Sequence, residues 1–292
     1  MKTKMVETVI PPTAPHMVGD GFKVHNFFPG GRHIGTHRMS PFFLLDYGSK
    51  TMFPPSPAPR GVGPHPHRGF ETVTIAYHGK VAHHDSAGNS GVIGEGDVQW
   101  MTAGAGILHK EYHEKEFSRT GGLMQMAQIW VNLPAKDKMT PPKYQGLTHA
   151  GMGRKLLENG YGRVEVIAGE YLGTKGPAST FTPIQMYNAH LKQGGEAGFS
   201  FPESHNTGML VIEGSVTVNG EAKAPTDHFV LFEKAGEAIS IKADSDAVVL
   251  VLSGEPIDEP IASYGPFVMN TQKEILQAVE DFNAGKFGSL ED

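Results

Sequence analysis

Residues 63–77 read GPHPHRGFETVTIAY and place two histidines and a glutamate around the start of a predicted strand. Side chains along a β-strand alternate between its two faces, so His65 and His67 are predicted to point the same way. Glu71 lies four residues beyond His67 and joins that face if the strand is unbroken. Two imidazoles on one face can bind one metal ion. A solvated His-Pro-His loop is the alternative interpretation of this spacing.

A second pair of candidate ligands follows in residues 94–114, which read GEGDVQWMTAGAGILHKEYHE. The glycines predict a tight turn between two strands, and His109 and Glu111 share a face of the second strand. Spacing alone admits either Glu71 or Glu111 as the carboxylate ligand. Three imidazoles and one carboxylate are a sulfur-free set that suits Fe(II), Mn(II), Ni(II), Co(II), Cu(II) or Zn(II). His109 and His113 would share a face on a helix, as in HExxH zinc sites, but the preceding glycines favour a turn.

The composition is that of a globular protein with many turns. The chain of 292 residues contains 37 glycines and 21 prolines, which favours an all-β fold. Its formal net charge of −6 provides no basic field for a phosphate backbone, so no direct nucleic-acid partner is expected. The absence of cysteine excludes disulfides, thiolate ligands and a cysteine nucleophile.

The sequence carries no sign of export or of nucleotide chemistry. The start, MKTKMVETVIPPTAPH, has no apolar stretch long enough for a signal peptide, and no run of about 18 apolar residues occurs. We therefore expect a cytoplasmic protein with no membrane partner, and a monomer. Neither GxxxxGK[ST] nor a GxGxxG fingerprint is present, so nucleotide-dependent chemistry has no support.

Short predicted strands run through both halves of the chain. Turn signals recur about every ten residues, which is typical of β-sandwiches and barrels. We predict two tandem β-barrels: an N-terminal metal-binding domain over residues 1–134 and a C-terminal domain over residues 146–292. The polar, proline-containing segment 135–145 is the predicted linker. His205 has no neighbouring ligand pair, so the C-terminal domain is predicted to bind no metal.

One helix is predicted at the end of the C-terminal domain, within NTQKEILQAVEDFNAGKFG. Thr271 and Glu274 have the spacing of a capping box, and Gly285 supplies a stop. This amphipathic helix is expected to pack on a barrel. The apolar residues that recur at helical spacing are Ile275, Leu276, Val279 and Phe282.

Two further histidines, His83 and His84, precede the turn sequence DSAGNSG. One of them is predicted to order this turn through Asp85 or a backbone group. Neither is assigned to the metal.

Several of these segments resemble the pirin family of bicupins, and the resemblance covers most of the chain. It implies two cupin-type β-barrels in one polypeptide, with one iron-type metal, Fe(II) first among the candidates, in the N-terminal barrel. The ordinary cupin motif HxHxxxE would recruit Glu71, whereas the pirin pattern implies the ligands His65, His67, His109 and Glu111. The segments that carry the resemblance are PHPHRGFETVT, HHDSAGNSGVIGEGDVQWMTAGAGILHKE, QIWVNLP and LSGEPIDEPIASYGPFVMNT.

The resemblance also implies a reaction. Pirins are similar to the cupin dioxygenases that open the flavonol ring of quercetin, so the implied partners are a small aromatic or flavonol substrate and O2. Glu111 is then the expected catalytic base, with Glu71 as the alternative, since a general base needs only hydrogen-bond reach of the proton. The aromatic residues expected to form a slot for the substrate ring are Phe42, Phe43, Phe53 and Trp100.

Two other functions stay open at this point. Eukaryotic pirins also act as metal-dependent, redox-sensitive partners of transcription factors, so the resemblance equally implies a non-enzymatic regulatory protein that binds a protein partner. A structural metal that holds one barrel together is the third interpretation. Structural sites tend to have every metal position filled by protein, whereas catalytic sites keep a position open.

We predict that Glu111, and not Glu71, is the metal-bound carboxylate. Glu111 lies two residues from His109, whereas Gly69 lies between His67 and Glu71 and permits a bulge that changes the strand phase. Glu71 is then expected to hold a ligand histidine through the free ring nitrogen of that histidine.

Overall fold

The computed structural model describes residues 1–30 and 34–290, whose regular structure consists mainly of β-strands. The described α-helices are α1 (Lys115–Thr120) and α2 (Gln272–Asn283), and short 3-10 helices cover Ala135–Asp137, His149–Gly151 and Glu158–Gly160. No described helix is long and apolar enough to cross a lipid bilayer. In chain order the strands are β1 (Val6–Ile10), β2 (His16–Val18), β3 (Phe22–Phe28), β4 (Phe42–Phe53), β5 (Gly61–His67), β6 (Phe70–His78), β7 (Val81–Asp85), β8 (Ser90–Ile93), β9 (Val98–Thr102), β10 (Ile107–His113), β11 (Gly122–Asn132), β12 (Lys143–Leu147), β13 (Gly153–Leu156), β14 (Gly162–Ala168), β15 (Glu170–Tyr171), β16 (Thr174–Lys175), β17 (Ile184–Leu191), β18 (Glu196–Ser200), β19 (Asn206–Glu213), β20 (Ser215–Val218), β21 (Ala222–Pro225), β22 (Phe229–Phe232), β23 (Ala238–Ala243), β24 (Ala247–Gly254), β25 (Ala262–Tyr264) and β26 (Phe267–Met269).

The chain forms two compact units, each assembled from several segments. The unit that contains His65 and His109, called the His-motif unit, comprises Ala14–Pro29, Phe42–His149 and Ile257–Asp292. The second unit comprises Met1–Thr13, Gly30–Pro41 and Ala150–Pro256. These units differ from the predicted ranges 1–134 and 146–292 at both ends, because β1 pairs with β22 of the second unit and α2 belongs to the His-motif unit.

The predicted linker, residues 135–145, is part of the His-motif unit. It begins with the 3-10 helix Ala135–Asp137, and its last residues start β12, which pairs with β9. Lys138 is 1% exposed, and its Nζ donates to the carbonyl oxygens of Gly69 and Val268 and to Oδ1 of Asn132. This segment is therefore anchored within the unit along its length.

Two large antiparallel sheets form most of the His-motif unit, which also contains the β25–β26 pair. One has seven strands in the order β12-β9-β6-β11-β4-β3-β2, and the other has four in the order β5-β10-β7-β8. Side chains from the two sheets meet, since Thr74 of β6 and Gln128 of β11 both hydrogen bond to Glu111 of β10. The predicted ligands thus lie on the four-stranded sheet and face the seven-stranded one.

The second unit repeats the pairing of a seven-stranded with a four-stranded sheet. Its strand orders are β1-β22-β19-β24-β17-β14-β13 and β18-β23-β20-β21. An apolar core contains residues of both sheets, among them Val166, Tyr187, Phe199, Val218 and Ile241. The predicted all-β class, with a β-structure repeated along the chain, is confirmed.

Helix α2 confirms the predicted capping box. The Glu274 backbone N–H donates to Thr271 Oγ1 at 3.2 Å, and the Thr271 N–H donates to the Glu274 carboxylate at 2.8 Å. Gly285, with φ +74°, follows the C-cap residue. The predicted apolar face is wrong at Leu276, which is 65% exposed, and at Phe282, which is 37% exposed. The helix instead buries Ile275, Ala278 and Asp281, and its apolar residues pack with those of the β25–β26 hairpin.

Candidate metal centre

Three histidines of the four-stranded sheet converge because β5 and β10 are antiparallel neighbours. Their register pairs His65 with His109 and His67 with Ile107. Directly paired residues share a face, as do residues two apart, so His65, His67 and His109 all point to the same side. Their closest ring nitrogens lie within 4.8 Å of one another, as a shared metal ion requires.

Glu111 lies farther along β10, and the register shifts between it and His109. Its carboxylate accepts hydrogen bonds from Gln128 Nε2 at 2.7 Å, Thr74 Oγ1 at 3.0 Å and Gln99 Nε2 at 3.3 Å. Ligand atoms of Glu111, His109 and His83 form a second group within 4.8 Å. The four predicted ligands are therefore distributed over two groups that share His109.

The environment keeps the central imidazoles neutral. Burial lowers the pKa of His109 well below its usual value, and the neighbouring histidines His67, His65 and His83 lower it further. Burial likewise lowers the pKa of His67, with a smaller contribution from His65. A neutral imidazole has a free nitrogen lone pair, which is the form that binds a metal.

The hydrogen bonds of these rings leave their Nε2 atoms available. His65 Nδ1 lies 2.8 Å from the Gly63 carbonyl oxygen, and His67 Nδ1 lies 3.4 Å from the Pro266 carbonyl oxygen. A carbonyl oxygen only accepts, so both Nδ1 atoms carry the proton and both lone pairs are on Nε2. The Nε2 atom of His109 is buried and has no hydrogen-bond partner among the residues that the structure describes. A divalent transition metal would satisfy that atom, so these residues fit such an ion.

Glu71 does not contact the ligand histidines, so the prediction that it holds one of them is wrong. Gly69, with φ +88°, separates β5 from β6 and shifts the strand phase as expected. Glu71 pairs with Thr102, whose hydroxyl donates to its Oε1 at 2.7 Å. Thr74, three residues on, points to the opposite face and reaches Glu111.

Family models cover both halves of this arrangement. The pirin model matches residues 21–131, and the model of the pirin C-terminal cupin domain matches residues 186–288. The chain belongs to the pirin family. Its two units are accordingly cupin domains, as the sequence predicted.

Relatives and solved structures agree with this family. A Pseudomonas aeruginosa protein named "Putative quercetin 2,3-dioxygenase" is 48% identical over 272 residues, or 93% of this chain and 94% of the relative. The crystal structure of quercetin 2,3-dioxygenase from Acinetobacter baumannii is 46% identical with a TM-score of 0.92, and covers 99% of this chain and 100% of that one. The bacterial pirin YhhW of Escherichia coli, solved in complex with nickel(II), is 23% identical with a TM-score of 0.63, over 86% and 99% of the chains.

An aromatic wall lies beside the histidines of this pirin. The Trp130 ring lies 5.2 Å from His67 and stacks on Phe70 at 4.3 Å, and Phe43 stacks on Trp130 at 6.2 Å. Of the residues predicted to form the slot, only Phe43 belongs to this wall. Phe53 contacts His113, while Phe42 and Trp100 pair with residues on the Glu71 side of the sheet.

Sequence reasoning missed Trp130 and Phe70, although both lie in segments that carry the family resemblance. Phe70 follows the His-Pro-His motif, and Trp130 lies in QIWVNLP. The alternation of each strand places Phe70, Thr72 and Thr74 on one face, which would have identified Phe70 once Thr74 was assigned to the interior.

The C-terminal segment supports the histidine strand. The Val268 N–H donates to the Arg68 carbonyl oxygen, and the Arg68 N–H donates to that of Pro266. The buried Arg68 guanidinium forms an ion pair with Asp281 of α2 at 2.8 Å and lies 4.7 Å from the centre of the Phe287 ring. Arg68 directly follows His67, so these contacts hold the end of β5 in place.

Proposed function

We propose that this pirin is a metal-dependent dioxygenase that cleaves quercetin-type flavonols with O2. The observation that carries the proposal is the cluster of His65, His67 and His109, in which the buried Nε2 of His109 lacks a hydrogen-bond partner within residues 1–30 and 34–290. Glu111 follows on the same strand, and an aromatic wall lies beside His67. The similarity to proteins named as quercetin 2,3-dioxygenases supports the substrate class.

The proposed ligands are His65, His67, His109 and Glu111, and the proposed metal is Fe(II). Nitrogen and oxygen donors also suit Mn(II), Ni(II), Co(II), Cu(II) and Zn(II), so the donor set alone does not select iron. When bound, the metal supplies Lewis acidity toward the substrate oxygens and a path for electrons to O2.

The protein's own residues have two tasks in this proposal. Glu111 accepts the proton of the flavonol 3-hydroxyl, which lies within hydrogen-bond reach once the substrate oxygens are bound beside it. Thr74, Gln99 and Gln128 hold its carboxylate in position through their hydrogen bonds. Trp130 provides a flat apolar surface for the flavonol rings, because planar aromatic systems stack in an offset manner. The overall reaction adds both atoms of O2 and releases one ring carbon as carbon monoxide.

Turnover of quercetin tests this function. Protein loaded with Fe(II) and desalted should remove the flavonol absorbance and release carbon monoxide in equal amounts, and both signals should require O2. Glu111→Gln should lower turnover by about 100-fold or more, as expected for loss of a general base. His84→Gln is the matched control, since His84 points away from the cluster and contacts the Tyr112 hydroxyl. Turnover no greater than that of free Fe(II) would refute the proposal and favour a regulatory role.

A further inference from the structure

We propose that His83 and Asp85 are positioning residues that fix the tautomer of His109 and so direct its Nε2 lone pair at the metal. This inference rests on the metal centre of the proposed function. It assigns a role to a histidine that, from the sequence, was expected only to order a turn. The expected contact with Asp85 is confirmed, because His83 Nε2 lies 3.2 Å from Asp85 Oδ2.

The pairing of β7 with β10 brings the two residues to the site. Asp85 is paired with His109, and His83 is paired with Glu111. A residue and its direct partner share a face, so an H-x-D pair lies across the ladder from the H-x-E pair. His83 is fully buried and Asp85 is 4% exposed, so neither exchanges these contacts freely with water.

Two carboxylates determine where the protons lie. Gln99 Nε2 is 3.3 Å from the Glu111 carboxylate, so this atom is the amide nitrogen and donates. The same nitrogen is 3.0 Å from His83 Nδ1, which must therefore accept. At the other end, Asp85 accepts from His83 Nε2, which must therefore carry the proton. Both contacts give His83 the same tautomer, with its lone pair on Nδ1.

This tautomer in turn determines that of His109. Nδ1 of His109 lies 3.4 Å from Nδ1 of His83 and is therefore a second, longer donor that shares this acceptor with Gln99. The lone pair of His109 is then on Nε2, the buried atom for which the described part of the chain provides no hydrogen-bond partner. The relay Asp85–His83–His109 thus does for His109 what backbone carbonyls do for His65 and His67.

Further contacts hold the Asp85 carboxylate and the His83 ring in place. Asp85 Oδ1 accepts from the backbone N–H groups of Ala87 and Asn89, and the Asn89 side chain also donates to its carboxylate. Burial opposes ionisation of Asp85, but the hydrogen bonds from His83 and Asn89 outweigh it and lower its pKa. Tyr144 stacks on the His83 ring at 5.2 Å. The ring that transmits the tautomer is therefore held against rotation.

Imidazole nitrogen NMR of the metal-free protein tests the assignment directly. Long-range nitrogen–proton correlations distinguish the two neutral tautomers of each histidine. We expect the Nε2–H form for His83 and the Nδ1–H form for His109. An Nε2–H form for His109 in the wild type would overturn the inference before any metal is added.

Two substitutions of His83 distinguish the effect of its hydrogen-bond acceptor, Nδ1, from the effect of its ring packing. His83→Asn retains an acceptor oxygen near the place of Nδ1, whereas His83→Phe retains the ring and its stacking on Tyr144 but has no acceptor. We expect His83→Phe to weaken Co(II) binding by about 10- to 100-fold in chelator competition, and His83→Asn to weaken it much less. The Co(II) ligand-field absorption should change only in His83→Phe. The reverse order of affinities would show that the residue acts through packing.

Asp85→Asn should reverse the tautomer preference of His83 while retaining the hydrogen bonds of the turn. Its Oδ1 can still accept from Ala87 and Asn89, but its amide then faces His83 Nε2 and favours the other tautomer. We expect a loss of Co(II) affinity of about 10- to 100-fold. Asn89→Ala is the control, because it removes donors to Asp85 without altering the His83 contact. An equal loss in Asn89→Ala would assign the effect to the turn and refute the relay.

These measurements involve neither quercetin nor O2, so they distinguish the relay from the proposed reaction. Wild-type protein that binds Co(II) but, when loaded with Fe(II), does not cleave the flavonol would refute the reaction and leave the relay intact. Wild-type protein that binds neither Co(II) nor Fe(II) would refute both.

Discussion

Glu71 and Glu111 are two buried carboxylates, and each lies an even number of residues from a histidine. Their surroundings nevertheless differ. Glu111 accepts from three side-chain donors and belongs to a ligand group with His109. Glu71 accepts from Thr102 at one oxygen, while its other oxygen is buried and meets no hydrogen-bond donor among the described residues. A buried carboxylate with a single donor is less stable as an anion than one in water, and this is the situation of Glu71.

Replacing each carboxylate in turn should show which of the two binds the metal. Glu111→Ala should lower iron affinity sharply, because it removes a proposed ligand, whereas Glu71→Ala should leave iron retention close to that of the wild type. The measurement is the iron retained against a series of chelators of increasing strength. If Glu71→Ala empties the site while Glu111→Ala keeps it filled, the ordinary cupin ligand pattern applies and our assignment is wrong.

Glu71 should also make stability depend on pH. Burial is the main cause that raises its pKa from 4.5 to about 7, and the hydrogen bond from Thr102 and the charge of Lys143 oppose it. Between these values the folded state binds more protons than the unfolded state, so stability falls as pH rises from about 4.5 to about 7. Glu71→Gln should therefore stabilise the metal-free protein at pH 8, by up to about 3 kcal/mol, and much less at pH 5.

Denaturant unfolding midpoints at the two pH values check this prediction. Glu221→Gln serves as control, because Glu221 is exposed, and its effect should be small at both pH values. A Glu71→Gln variant that gains nothing at pH 8 relative to pH 5 would contradict a raised pKa at Glu71.

At the scale of elements, the junction between β5 and β6 decides which face each residue meets. β5 ends at His67 and β6 begins at Phe70, with Gly69 in the left-handed region between them. A Cβ built on Gly69 would lie 2.1 Å from the Val268 carbonyl oxygen. The C-terminal segment thus approaches the histidine strand closely only because this residue has no side chain.

Gly69→Ala should destabilise the protein and weaken metal binding together. The variant incurs left-handed backbone strain and also a clash that displaces Val268 or the end of β5. Gly88→Ala is a matched control, since Gly88 has φ +87° but a Cβ at this position would meet no other atom within 4 Å. We expect Gly69→Ala to cost about 2 kcal/mol more than Gly88→Ala in denaturant unfolding. Equal costs would show that the close approach to Val268 is unimportant.

At the scale of the whole molecule, two units of the same sheet order have different interiors. Polar side chains such as Gln99, Gln128 and Thr74 occupy the His-motif unit beside the histidines. The second unit is filled by aliphatic and aromatic residues, including stacked Phe199 and Phe201. Both candidate ligand groups among residues 1–30 and 34–290 belong to the His-motif unit.

We therefore predict one metal ion per chain. His205 of the second unit is buried near Ser253, and burial lowers its pKa, but it belongs to neither ligand group found in the described part of the chain. Elemental analysis of protein loaded with iron and desalted should approach one iron per chain, and His205→Ala should leave this ratio unchanged. A ratio near two that falls in His205→Ala would place a second metal in the second unit.

The sequence by itself determined what depends on local periodicity and local hydrogen bonds. The two-residue spacing of His65 and His67, and of His109 and Glu111, assigns each pair to one face, because a strand has a period of two. The capping box at Thr271 was predictable for the same reason, since its partners lie three residues apart. The family motifs extended these local predictions to the cupin fold.

Only the tertiary structure decided which strands pair and which faces point inward. The phase change at Gly69 turned Glu71 away from the histidines, and the register of β7 on β10 placed Asp85 beside His109. The positions of β1 and α2, from opposite ends of the chain, in units built largely from the other half follow from the same cause. Strand register and sheet packing depend on contacts between residues far apart in sequence. Local sequence patterns do not specify which strands pair or in which register they do so.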